Sequence, residues 1–158
     1  MTSPRGKLRK RLATSRARLK RFTFLVDVSL GKGVTAALKA HKFNTDDHSR
    51  YFSPSADDID WLTRAGKLQR SDRKKQFIVI TKDKWIRRNL FERAAVMAAG
   101  LRQFYITSGN MTGEELQELV LSSMEGIAEI VETNEPPFIA SIIRSKVELI
   151  NFDSDTTP

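Results

Sequence analysis

The stretch Gln76-Phe-Ile-Val-Ile-Thr-Lys-Asp-Lys84 decides the fold, because an unbroken apolar run ends there in one carboxylate between two lysines. A short apolar run bounded by polar residues is typical of a strand covered on both faces, as in parallel α/β sheets. In such sheets, ligands collect at the carboxyl ends of the strands. The stretch therefore predicts a buried central strand with Asp83 at a functional edge.

A second stretch, Phe22-Thr-Phe-Leu-Val-Asp27, has the same design of a short β-rich run that ends in an aspartate. Strands and helices alternate across residues 22–143, which predicts a doubly wound, three-layer α/β/α domain with a mainly parallel sheet. Right-handed crossovers bring the strand ends to one edge. We expect that edge to collect Asp27, Asp46, Asp47, Asp58, Asp60, Asp83 and Asn110.

Composition limits the chemistry that is available at this edge. The 158 residues suit one domain, and the lack of cysteine excludes disulfides, thiolate zinc sites and cysteine nucleophiles. With only two histidines, a metal site is expected to be built from oxygen ligands, which favours Mg²⁺ or Mn²⁺.

The net charge of +8 is concentrated near the N-terminus, where residues 1–21 hold nine of the 27 lysines and arginines and no acid. This pattern predicts a basic arm that is flexible or becomes helical on binding RNA, acidic lipid or an acidic partner. We therefore divide the chain into the arm at 1–21, a folded domain at 22–152 and a loose tail at 153–158.

No apolar run suits a bilayer span or a secretory signal, so we expect a cytoplasmic protein without membrane contact. Organelle import through the basic segment stays open.

The remaining pattern predicts further elements. Residues 42–45 read as a short second strand, and a helix headed by Asp57 as a cap is expected to end at Gly66. A helix over 84–100 is expected to turn Leu90 and Met97 toward the sheet and Arg93 outward. Thr112-Gly-Glu-Glu115 predicts a capping box that begins one long helix. A hairpin over residues 138–152 ends the domain, and Trp61 is expected in the core rather than stacked on a base.

Gathered carboxylates point to cation binding, because like charges repel and cannot be buried without partners. Two divalent ions about 3.5–4 Å apart can generate a hydroxide nucleophile and stabilise a leaving oxygen in phosphodiester cleavage. Asp27 and Asp83 are the stronger candidates, because two separate strands deliver the same residue to the same edge. A phosphoacceptor signalling domain is disfavoured, because such a domain requires an acidic pair directly after the first strand and only Asp27 is present there.

Five stretches form a recognisable set: Phe24-Leu-Val-Asp27 with Ser29-Leu-Gly31, the region of Asp47 and His48, Asp58-Ile-Asp-Trp-Leu62, Ile78-Val-Ile-Thr-Lys-Asp-Lys84 with Ile86-Arg-Arg88, and Asn110-Met-Thr-Gly113. Together they resemble PIN-like domains. The closest likeness is to VapC-type toxins of bacterial toxin–antitoxin modules. It covers roughly residues 22–145 and excludes the basic arm.

The resemblance implies a Mg²⁺- or Mn²⁺-dependent endoribonuclease with Asp27, Asp58 and Asp83 as its catalytic acids. Asn110 stands where the family has its fourth polar or acidic residue, and Asp60 is a further candidate ligand. The choice among Asp46, Asp47, Asp57, Asp58 and Asp60 to complete the metal site stays open. Expected partners are an RNA substrate, with a cognate antitoxin and a homodimer left open.

Four basic residues follow the central strand, where an RNA backbone would approach the cleft: Lys82, Lys84, Arg87 and Arg88. Contacts of this kind set affinity rather than sequence choice. The alternative to a nuclease is a catalytically inactive PIN-like module that binds nucleic acid or protein. Under that alternative the carboxylates act only as caps and turn residues.

Overall fold

The computed structural model describes residues 4–53, 55–82, 90–107, 110–144 and 146–150, and a single sheet runs through them. Its strands are β1 (Thr23–Val26), β2 (Thr45–Asp47), β3 (Phe77–Lys82), β4 (Arg102–Ile106), β5 (Phe138–Ile143) and β6 (Lys146–Leu149). They lie in the order β2-β1-β3-β4-β5-β6. Neighbours from β2 to β5 are parallel, and β6 is antiparallel to β5. The predicted mainly parallel sheet and the terminal hairpin are confirmed.

Six helices within the described residues cover the two faces of the sheet. They are α1 (Pro4–Arg18), α2 (Lys32–Ala40), α3 (Asp58–Ser71), α4 (Leu90–Ala99), α5 (Gly113–Ser122) and α6 (Met124–Thr133). Helices α1, α2, α5 and α6 share one buried cluster with the sheet. Helices α3 and α4 share a second cluster. The predicted three-layer arrangement is confirmed.

Strand β3 shows why the sheet is buried on both faces. Ile78 and Ile80 belong to the first cluster, whereas Phe77 and Val79 belong to the second. Successive side chains of a strand point to opposite faces, so an unbroken apolar run supplies both layers at once. All four residues are fully buried.

The strand order reverses at β1. Strand β2 pairs with one side of β1 and β3 with the other. Helix α2 follows β1 and packs on one face, while α3 follows β2 and packs on the opposite face. The crevice outside the carboxyl ends of β1 and β3 is therefore the topological switch point, which is where open α/β sheets bind ligands.

Helix α3 does not end at Gly66, so that prediction was wrong. The helix continues to Ser71, and Gly66 is buried inside it. A Cβ atom at Gly66 would lie 2.6 Å from the Cβ of Ala99 in α4. The glycine is required because the two helices approach each other too closely for any side chain there.

The predicted inward face of α4 was also wrong. Leu90 and Met97 are exposed, whereas Arg93 and Val96 are buried. Helix α4 packs against α3 through small residues at its end, and this contact sets its rotation. The first part of the predicted helix, 84–89, lies outside the described residues.

Two element boundaries also differ from their predictions. The capping box of Thr112 and Glu115 is present, but the helix that it begins breaks at Ser123 into α5 and α6. The Ser123 hydroxyl donates a 2.6 Å hydrogen bond to the Leu119 carbonyl, an alternative partner that bends helices. Strand β2 begins at Thr45 instead of residue 42, which moves Asp46 and Asp47 into the strand.

The N-terminal basic segment forms helix α1, which packs on the chain's own α6. Leu12 and Leu19 are buried in the first cluster, while Leu8 is 38 % exposed. Arg18 pairs with Glu132 of α6 at 2.8 Å. The basic segment is thus helical against the chain's own α6, and its binding to RNA, acidic lipid or an acidic partner stays a prediction. The division at residues 21 and 152 stays a prediction.

In the described part of the chain, no helix has the length and apolar character needed to cross a lipid bilayer.

Candidate metal and nuclease site

A polar pocket of about 360 Å³ lies beside the carboxyl end of β1, at the switch point of the sheet. Three chain segments meet there: the residues after β1, the residue after β2 and the head of α3. The polar and aromatic side chains that line the pocket are Asp27, Ser29, His48, Asp57, Asp58 and Trp61. No lysine or arginine is among the described residues of the lining, so the pocket has a negative potential that attracts cations.

Asp27 is the first carboxylate of the pocket. Its backbone amide donates a 2.9 Å hydrogen bond to the Ile80 carbonyl of β3, which continues the sheet by one residue. Its side chain is 8 % exposed, and its Oδ2 accepts a 2.8 Å hydrogen bond from the Ser29 hydroxyl. Asp27 makes no ion pair with any described residue. The strand end and the serine therefore fix a nearly buried carboxylate that no described lysine or arginine neutralises.

Asp58 is the second carboxylate and begins α3. The indole Nε1 of Trp61 donates a 3.0 Å hydrogen bond to Asp58 Oδ1. Trp61 is 1 % exposed, which confirms its predicted place in the core. Because the indole is immobilised by packing, it fixes the orientation of the carboxylate.

Asp57 precedes Asp58 and occupies the capping position of α3, as predicted, but its side chain makes no capping hydrogen bond. Its carboxylate lines the pocket instead.

His48 is a pocket residue that is not among the predicted metal ligands or catalytic acids. It is 5 % exposed, and its ring packs edge-to-face on Trp61 with centroids 5.0 Å apart. Neither ring nitrogen has a hydrogen-bond partner within the described part of the chain. Burial lowers the pKa of His48, while the Asp27 and Asp58 carboxylates act in the opposite direction. The sequence feature that indicates His48 as a site residue is its position directly after Asp46 and Asp47 at the end of a short strand.

The family becomes clear when this geometry is combined with a comparison to known families. Residues 22–108, more than half of the 158, match a family model described as a PIN like domain. The chain belongs to the PIN-like family. PIN domains are generally nucleases and typically use divalent metals. No curated protein and no solved structure matches the chain.

The pocket of this PIN-like domain has the donor chemistry that a hard divalent ion requires. Asp27 and Asp58 each use one carboxylate oxygen in a hydrogen bond, so within the described residues each has a second oxygen without such a bond. Carboxylate oxygens suit Mg²⁺ and Mn²⁺. No three or more His, Cys, Asp or Glu side chains in the described ranges are grouped to hold a metal. The third predicted carboxylate, Asp83, lies outside those ranges.

Two of the alternative carboxylates are already paired with cations. Asp46 Oδ1 lies 3.0 Å from Nη1 of Arg50, and Asp47 Oδ2 lies 3.0 Å from Nζ of Lys39. These ion pairs satisfy their charge without a metal ion. The pairing favours Asp27 and Asp58, which have no such partner in the described chain.

The other predicted residues are not brought to the pocket, or cannot be placed. Asp60 and Asn110 are exposed, and neither lines the pocket. Lys82 is exposed at the end of β3. Lys84, Arg87 and Arg88 fall in the range 83–89, outside the described residues. The roles proposed for all of these residues stay predictions.

Proposed function

We propose that this PIN-like protein is a Mg²⁺- or Mn²⁺-dependent endoribonuclease, with Asp27, Asp58 and Asp83 as the residues that hold the metal. The observation that carries the proposal is the pocket that Asp27 and Asp58 line together, with no lysine or arginine among its described lining residues. Asp60 and Asn110 are further candidate ligands from the sequence. We also propose that the protein acts as the toxin of a toxin–antitoxin module, with an antitoxin partner or as a homodimer.

Each residue of the pocket has a defined task in this proposal. Ser29 and Trp61 fix the orientation of the Asp27 and Asp58 carboxylates through their hydrogen bonds, and both residues line the cavity. The nitrogen atoms of His48, which have no hydrogen-bond partner among the described residues, are available to a phosphate oxygen or to water in the pocket. A divalent ion held there would supply an activated water and neutralise charge on the scissile phosphate. Lys82, Lys84, Arg87 and Arg88 would contact the RNA backbone.

Charge-neutral substitutions of the two carboxylates test this assignment. Asp27→Asn and Asp58→Asn should each reduce RNA cleavage by roughly 100-fold or more, because changing even an outer-shell partner of a metal ligand typically costs 10- to 100-fold. Isothermal titration with Mn²⁺ should show weaker metal binding in both variants. Asp47→Asn is the matched control, since it removes a carboxylate from the same edge that Lys39 already pairs. Equal cleavage by all three variants would overturn the assignment.

Metal removal should separate binding from cleavage. In EDTA at low salt, the protein should retain RNA affinity through its basic residues and cut no RNA, and Mg²⁺ or Mn²⁺ should restore cleavage. Fluorescence anisotropy and gel analysis of single-stranded RNA measure the two properties. RNA binding without cleavage of any tested RNA under either ion would identify the inactive binding module instead. Metal-independent cleavage that His48→Ala abolishes would indicate histidine acid–base chemistry.

A further inference from the structure

A second cleft lies at the opposite edge of the sheet, outside the amino ends of β1, β3 and β4. It encloses about 510 Å³, which is within the size range of small-molecule sites. Strand β3 has six residues, so the two edges are about 20 Å apart. This cleft is therefore separate from the carboxylate pocket.

The lining of this cleft is strongly cationic. Its charged residues are Lys20, Arg21, Arg73, Lys74 and Arg102, and none of its described lining residues is acidic. None of these five cations forms an ion pair with a described carboxylate. Clustered like charges repel one another and attract an anion, and Glu132 and Glu135, which are not in the lining, offset the charge of Arg21 and Arg102 only in part.

Arg102, the first residue of β4, is the buried member of the cluster. It is 8 % exposed, and its Nη1 donates a 3.3 Å hydrogen bond to Gln76 Oε1. Its Nε is buried and has no hydrogen-bond partner among the described residues. A buried donor without an acceptor costs stability, which a ligand that supplies the acceptor would recover.

The surroundings of Arg102 increase its need for a negative partner. The guanidinium groups of Arg102 and Arg21 each lie 4.9 Å from the centroid of the Phe22 ring. Burial lowers the pKa of Arg102, and neighbouring Arg21 lowers it further, while Glu135 acts in the opposite direction. Both guanidinium groups lie against the same Phe22 ring and repel each other, and an anion would relieve that repulsion.

We propose that this cleft is a binding site for phosphate groups, with Arg102 as the buried donor and Arg73 and Lys74 as outer contacts. Guanidinium groups match phosphate because their planar N–H donors can form paired, charge-assisted hydrogen bonds. The phosphate can belong to a free nucleotide or to the backbone of RNA. Because the site is at the other edge of the sheet, it does not depend on the metal pocket.

The direct test follows the Arg102 Nε–H resonance of the full-length protein by ¹H–¹⁵N NMR in EDTA. Inorganic phosphate, 5′-AMP and a short single-stranded RNA are titrated in separate experiments, with succinate as the carboxylate comparison. A saturable shift with phosphate and 5′-AMP identifies a free phosphate compound as the ligand, and a shift with RNA alone identifies the backbone. No saturable shift with any phosphate probe, or equally tight succinate binding, overturns the proposal.

Matched charge variants show whether the cleft itself is responsible. Replacing both Arg73 and Lys74 by alanine should weaken binding of the effective probe by about tenfold or more, since two charged contacts are lost. Replacing both Arg9 and Lys10, exposed cations on α1 outside the cleft, removes the same charge and should change affinity by much less. Equal losses in the two double variants would show a general charge effect and contradict the site.

The test also distinguishes this site from the proposed nuclease function. The Arg73/Lys74 double variant should keep its metal-dependent cleavage rate at saturating RNA. Asp27→Asn should keep its phosphate binding while losing cleavage. Loss of phosphate binding in Asp27→Asn would contradict the separate phosphate site. Unchanged cleavage by Asp27→Asn would contradict the nuclease assignment and leave the phosphate site standing.

Discussion

The two edges of the sheet differ in charge, although β1 contributes to both. At the carboxyl edge, Asp27, Asp57 and Asp58 line a pocket without lysine or arginine in the described lining. At the amino edge, five cations line a cleft without a described acid. Each edge also buries a basic side chain with a nitrogen that no described residue hydrogen-bonds, His48 at one and Arg102 at the other. At both edges, side chains of one charge sign surround a buried nitrogen atom that lacks a described hydrogen-bond partner. This combination is expected where a bound ligand completes a site.

The largest expected effect tests whether the acidic edge alone carries the chemistry. Asp83→Asn should abolish RNA cleavage in Mg²⁺ and leave the melting temperature nearly unchanged, because the side chain keeps its shape and loses a charged ligand atom. Asp72→Asn is the control at the other end of β3, where Asp72 Oδ1 accepts a 2.9 Å hydrogen bond from the Lys74 amide. Asparagine keeps that acceptor, so cleavage should persist. Full activity of Asp83→Asn would refute the metal-nuclease assignment.

A second prediction concerns helix α1, which leads to Lys20 and Arg21 at the basic edge. Leu12→Ala should lower the free energy of unfolding by about 2–5 kcal/mol, because it leaves a cavity in the first cluster. Leu8→Ala, at a site 38 % exposed, should cost less than about 1 kcal/mol. Urea unfolding measures both changes. Equal, small effects would mean that α1 is a detachable arm, as the sequence analysis expected.

A third prediction asks whether the unpartnered nitrogen atoms at the acidic edge cost stability. His48→Phe preserves a ring against Trp61 and removes two buried polar atoms that lack partners. In metal-free buffer it should raise the free energy of unfolding by about 1 kcal/mol, since an unsatisfied buried group is removed. His48→Asn keeps polarity and should not raise it. A less stable His48→Phe variant would show that the imidazole already has a partner, such as bound water.

The sequence was sufficient to predict the sheet, because β3 and β1 are apolar on both faces and each run ends at a polar residue. Local pattern also placed Asp27 at a strand end and Asp58 at a helix head, and the resemblance to PIN-like domains chose Asp58 among the neighbouring acids. Their role as metal ligands stays a prediction. The face of α4 could not be predicted, because the contact between Gly66 and Ala99 sets its rotation and periodicity does not show it.

Whether the other polar residues are paired or buried depends on contacts between segments that are distant in sequence. Lys39 pairs with Asp47, and only the folded chain shows that this acid is compensated. His48 and Arg102 are ordinary basic residues in the sequence. Packing against aromatic rings and strands is what buries their nitrogen atoms without partners. Sequence pattern therefore located the acidic edge, while the basic edge required the structure.

The smallest expected effect concerns the ion pairs that hold α1, and with it the basic edge, against α6. The Arg18 guanidinium, which hydrogen-bonds to Glu132 at 2.9 and 2.8 Å, lowers the pKa of that carboxyl from its usual value near 4.5. A carboxyl whose folded-state pKa is depressed stabilises the fold above the unfolded value and loses this contribution as pH falls below it.

Glu132→Gln should therefore be slightly less stable than the unaltered protein at pH 7, and the difference should shrink as pH falls below about 4.5. Urea unfolding at a series of pH values measures this convergence. Glu125→Gln removes the Arg11 pair, in which both side chains are about 60 % exposed, and its effect should be smaller because exposed pairs are screened. A Glu132→Gln deficit that stays constant down to pH 3.5 would show that packing, and not charge, joins α1 to α6.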